Sequence, residues 1–140
     1  INGFGNFSNK ATFILAIIGS LFFFIGSMFF AGVGFTPYDV FFDLHVFFAL
    51  NSFRLMIPAS LIYLIVFLRS SLSIKYIAVI ASFLFLVTAY VIYLNIGENP
   101  LSNKEAMIVS ATIQKFIAFM SVATVFSLSF GFSKRINNSK

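Results

Sequence analysis

The chain has 140 residues, of which 60% are hydrophobic and only 9% charged, and its mean hydropathy is +1.02. A water-soluble domain is roughly a quarter charged, so this composition excludes an ordinary soluble globule and points to a single-domain, polytopic integral membrane protein. The net charge of +5 resides mostly at the ends of apolar segments, which speaks for topology and anionic headgroups rather than for a nucleic-acid partner.

Four apolar segments are each long enough to cross a hydrocarbon core, which takes about 20 helical residues. The expected helices are 11–31, 37–68, 74–95 and 104–132. Transmembrane β-strands run to about 10 residues of alternating polarity, so these runs are too long and too uniformly apolar for a barrel. Lipid offers the backbone no hydrogen-bond partner, so the segments must be helical. The fold class is all-α: a membrane four-helix bundle with short loops.

The first segment repeats Gly-Ser at Gly19-Ser20 and Gly26-Ser27, seven residues apart. Small residues at this spacing let a second helix approach closely, and helix packing is their expected role. Between segments one and two runs Gly32-Val33-Gly34-Phe35-Thr36-Pro37-Tyr38-Asp39. Thr36 is expected to cap a helix that starts at Pro37, with Asp39 in its first turn near the positive end of the dipole. Pro58 lies inside segment two and is expected to kink it, because it removes a backbone hydrogen bond. Gly97-Glu98-Asn99-Pro100 is a breaker cluster. Asn103 or Ser102 is the expected cap of segment four, with Glu105 in its first turn. The tail 133–140 reads as polar, basic and disordered.

Basic residues set the orientation. Lys10, Arg69, Lys75, Lys134, Arg135 and Lys140 would all fall on one side of the membrane. The opposite loops hold only Lys104, beside Glu98 and Glu105. By the positive-inside rule both termini are cytoplasmic, in a bacterial inner membrane or an organelle membrane.

Cysteine and tryptophan are absent and His45 is the single histidine. Disulfides, thiolate sites, cysteine nucleophiles and a bis-histidine haem within one copy are thereby excluded, and neither a metal nor a cofactor is expected. No hydrolase elbow, phosphate loop, dinucleotide fingerprint or metalloprotease motif occurs.

The chemistry-bearing residues are the charges inside the apolar segments. At about 100° per residue, Asp43, Asn51 and Arg54 share one face of segment two, with Asp39 beside them and His45 on the other side. Arg54 lies about 16 Å along the helix from Asp43, and Lys115, next to Gln114, about 15 Å from Glu105, which puts both cations near mid-membrane. Three readings are open. The groups satisfy one another as a charge network that orients the bundle. Alternatively, the cations line an outward-opening cavity for a lipid-like anion. Or they meet another subunit or a helix beyond this chain. Intramembrane charges suit all three. His45 reads as an interfacial hydrogen-bonding residue, a proton-titrating group beside Asp43 or, least favoured by geometry, a metal ligand with Asp39 and Asp43.

The run Gly-Val-Gly-Phe-Thr-Pro-Tyr-Asp, followed by Asp43-Leu44-His45-Val46-Phe47-Phe48-Ala49, resembles the damage-regulated autophagy modulators, the fibroblast-growth-factor-receptor-activating proteins and their bacterial relatives. The matching positions are Gly34, Pro37, Asp39, His45 and Ala49, within a stretch of about 20 residues. The resemblance implies a multi-pass protein of about six helices linked to lipid handling or membrane organisation, with no settled chemistry. Two helices would then precede this chain, which opens on Ile1. The leading expectation is a non-enzymatic membrane protein, either a subunit of a larger complex or a binder of a lipid or other anion. A proton- or ion-coupled transport component using Asp43, His45, Arg54 and Lys115 is the alternative, and a lipid-modifying enzyme comes third.

Overall fold

The computed structural model describes residues 10–70, 72–97 and 102–138, with side chains as far as Phe130. Four helices follow one another: α1 (Lys10–Phe35), α2 (Phe42–Leu68), α3 (Ile74–Ile96) and α4 (Lys104–Asn138). All four are long and apolar enough to cross a membrane.

The ends of these helices differ from the sequence reading at three places. α1 continues past Ala31 through both glycines to Phe35, because neither glycine turns the chain. No described glycine has a positive φ, whereas a Cβ on Gly32 would lie 2.6 Å from the Phe48 ring. Second, Thr36 does not cap α2. Its hydroxyl donates backwards to the Gly32 carbonyl at 2.9 Å, and its N–H reaches the Val33 carbonyl at 3.4 Å, so it closes α1 instead. The chain then makes a turn in which the N–H groups of Val40 and Phe41 both bond to the Pro37 carbonyl, at 3.1 and 2.8 Å. α2 starts only at Phe42, and Asp43 rather than Asp39 is the acid of its first turn. Third, α4 runs on to Asn138. No Gly or Pro follows Phe132, and Ser, Lys, Arg and Ile are tolerated in helices. At the other end of α4 the Asn103 Oδ1 accepts from the Ala106 N–H at 2.7 Å, which makes Asn103 its N-cap. Glu98 and Pro100 lie outside the described residues.

α2 is the hub. α1 packs on α2, α2 on α3 and α3 on α4, while α1 and α4 share no more than marginal contact. The buried positions follow this order. α1 buries the narrow stripe Thr12, Ala16, Gly19 and Gly26. α3 buries Ile80, Phe83, Val87 and Tyr90. α2, gripped on two sides, buries Ala49, Ser52, Phe53, Met56, Ala59, Ser60, Val66 and Phe67. It runs unbroken through Pro58, whose ring nitrogen has no hydrogen to give the Arg54 carbonyl one turn back.

Between helices in lipid the attraction is close packing and a few polar contacts, because lipid tails are as apolar as the side chains. At the α1–α2 contact a Cβ on Gly19 would lie 3.0 Å from the Tyr63 ring, and one on Gly26 3.5 Å from the Leu55 Cβ. Ser20 adds a hydroxyl contact to Tyr63 at 2.6 Å while also donating to the Ala16 carbonyl. Ser27 is exposed and bonds only to its own helix, at the Phe23 carbonyl.

Candidate functional site

One end of the array is built by the 36–41 turn, the start of α2 and the start of α4. His45 is its fastening. Its Nδ1 lies 2.6 Å from the Thr36 carbonyl oxygen. A carbonyl can only accept, so Nδ1 carries the proton in this contact. The Tyr38 ring stands edge-on to His45 at 5.7 Å and to Phe42 at 5.0 Å, and its hydroxyl reaches the Met107 sulfur on α4 at 3.7 Å. Asp39 and Asp43 are exposed. No three of His, Cys, Asp or Glu gather among the described residues.

The polar residues for which a charge network is one of three readings have separate surroundings. Asn51 donates to the Phe47 carbonyl of its own helix at 2.8 Å. Gln114 lies beside the Tyr90 hydroxyl. Arg54 and Lys115 are both exposed, and they do not face each other. Helical geometry puts Lys115 nearly opposite the stripe Ala106, Ser110, Ile117 and Thr124 that α4 buries. Its side of α4 is therefore the side away from the rest of the protein.

Arg54 lines a small cleft between α2 and α3 with Leu50, Val91, Leu94 and Asn95. Its neighbours place it relative to α3. Side chains on a helix tilt toward its N-terminus, so Arg54 aims back toward the 36–41 end. Its neighbours Val91, Leu94 and Asn95 belong to the last turns of α3, which ends at Ile96. The C-terminal end of α3 carries partial negative charge, which favours a cation there. The Asn95 amide nitrogen donates to the Val91 carbonyl at 2.6 Å, leaving its oxygen and a second N–H for other partners. The cleft encloses ≈ 80 Å³. Among the described residues no carboxylate pairs with Arg54.

A second polar locus was not evident from the sequence. Tyr90 of α3 is buried, its hydroxyl 3.1 Å from the Ser110 Oγ of α4, with Gln114 one turn further along. Phe53 of α2 stands edge-on to the Tyr90 ring at 5.2 Å, so one layer joins three helices. The available signal was the four-residue spacing of Ser110 and Gln114 on an apolar helix, which puts both on one face. Two buried hydroxyls, Ser52 Oγ and Thr124 Oγ1, have no hydrogen-bond partner.

No family model, curated protein or solved structure matches this chain. What the arrangement offers chemically is recognition. The exposed guanidinium of Arg54, its cleft and the Asn95 amide can hold an anion. His45 has one ring nitrogen committed to a backbone carbonyl.

Proposed function

We propose that this chain is a non-enzymatic multi-pass membrane protein that holds an anionic lipid headgroup at Arg54. The cleft formed by Leu50, Arg54, Val91, Leu94 and Asn95 carries the reading. A guanidinium sits there beside an amide, at the level where α3 ends, and among the described residues no carboxylate pairs with it. Arginine is suited to phosphate because its planar fork gives two parallel hydrogen bonds. The apolar walls, Leu50, Val91 and Leu94, lie where the acyl chains of such a lipid would begin.

In this proposal both termini are cytoplasmic and the cleft opens toward the opposite leaflet. The charge asymmetry supports that orientation: Lys10, Arg69 and Lys75 at one end, Asp39, Asp43 and Glu105 with Lys104 at the other. A lipid-handling role also agrees with what the resemblance at Gly34, Pro37, Asp39, His45 and Ala49 implies.

The test is lipid retention. The purified protein in a neutral detergent is offered phosphatidylglycerol or phosphatidylcholine and examined by native mass spectrometry. Phosphatidylglycerol should be retained preferentially. Arg54→Met should weaken that preference by about tenfold or more, the equivalent of one charge-assisted hydrogen bond. Arg54→Lys should keep part of it. Equal retention of both lipids by the parent protein, or a preference that survives Arg54→Met, rejects the proposal.

A further inference from the structure

Lys115 poses a separate problem. Across the α3–α4 contact, Tyr90 and Ser110 mark one layer. Lys115 lies five residues beyond Ser110, about 7.5 Å further from the 36–41 end. It is eleven residues, about 16 Å, from the start of α4 at Lys104. In a hydrocarbon core about 30 Å thick that is close to the centre. The ammonium rides on a four-carbon stem that tilts toward the N-terminus of α4. Snorkelling shortens the distance to the interface without closing it.

The face that carries Lys115 is continuous. Ile108, Thr112, Lys115, Phe119, Val122 and Phe126 recur at alternating four- and three-residue spacings, and all are exposed. That spacing keeps all six on one side of the helix. Thr112 does not satisfy the lysine, because its hydroxyl donates to the Ile108 carbonyl at 2.8 Å. Among the described residues Lys115 has no anionic partner.

We infer that this face of α4 docks a transmembrane helix of another protein that carries a carboxylate near the membrane centre. Charge complementarity commits the occupant, since intramembrane charges are paired with one another or with backbone carbonyls. A second copy of this chain does not fit. Its Glu105 lies ten residues, about 15 Å, from the Lys115 level. Phe53 shares the Tyr90 layer, which puts Asp43 about 15 Å above that layer and about 22 Å from Lys115. Asp39 lies in the turn at that same end. The inference rests on the helices crossing a membrane and is independent of lipid binding at Arg54.

The experiment uses the full chain in phosphatidylcholine vesicles, labelled at Ser73→Cys, since the chain has no cysteine of its own. The probe is a synthetic Leu/Ala helix of about 20 residues with one Asp at its centre. One control carries Asn at that position and another carries the Asp at its end. Energy transfer should show the central-Asp probe associating about tenfold more tightly than either control. Lys115→Met should remove the preference. Lys115→Asp paired with a central-Lys probe should restore it, which guards against simple misfolding. Arg54→Met should leave it unchanged. Equal association of the Asp and Asn probes overturns the inference, as does a preference that survives Lys115→Met or one that disappears with Arg54→Met.

Discussion

Arg54 and Lys115 are both cations on long apolar helices, and their surroundings separate them. A cation at the centre of a membrane helix costs about 2.5–3.5 kcal/mol on insertion scales. Arg54 lowers that cost by aiming at the end of α3, whereas Lys115 has only the open side of α4. Helical spacing along α2 showed in advance that His45 and Arg54 diverge. It did not show their depth, because depth depends on where the neighbouring helix stops. His45 was legible as a polar residue near a turn, but its partner was not, since the Thr36 carbonyl reaches it only after α1 extends to Phe35. Loss of a neutral hydrogen bond costs about 0.5–1.5 kcal/mol, and more when a buried acceptor is left unpaired. His45→Ala should therefore lower stability by about 1 kcal/mol or slightly more, seen as an earlier midpoint on chemical denaturation in mixed micelles. Tyr90→Phe should cost about 0.6 kcal/mol, the average for an interhelical hydrogen bond in a membrane protein. Ser110→Ala should cost about the same, and the double variant should cost little more than either alone.

At the scale of elements, the two glycines near the end of α1 provide a contrast. A methyl group on Gly32 meets the Phe48 ring at 2.6 Å, while one on Gly34 meets nothing within 4 Å. Gly32→Ala should destabilise by about 1–3 kcal/mol, the usual cost of overpacking. Gly34→Ala should be neutral or stabilise by up to about 1 kcal/mol, since alanine favours the helix and the backbone there needs no glycine. Thermal unfolding of the two variants side by side checks both outcomes. The existence of four long helices was legible because their apolar runs are far longer than any strand. Their ends were less so. Thr36-Pro37 has the composition of a helix start, and the same threonine is equally able to finish the helix before it. Only the tertiary contact of Gly32 with Phe48 decides between the two.

For the whole molecule, a linear order of contacts makes α2 the most constrained helix and α4 the least. α4 is attached through α3 along one narrow stripe, Ala106, Ser110, Ile117 and Thr124. Amide exchange in micelles should accordingly be slowest in the middle of α2, with α4 opening at a lower free energy than the core. Uniform protection across all four helices would contradict this. The order of packing was not readable from hydropathy, because every helix is apolar around most of its circumference and periodicity then points in no direction. The cue was the placement of small residues on α1 and of Ser110 and Gln114 on α4. The reversal between α1 and α2 has a consequence for sequence drift. It is made with no positive-φ residue and is held by backbone carbonyls at Pro37 and Thr36. Homologues should thus vary freely at 39–41 and replace Gly34 without penalty, while Gly19, Gly32 and His45 stay fixed. A turn that looks glycine-dependent in the one-letter code would then tolerate change, and the glycines inside the helix would not.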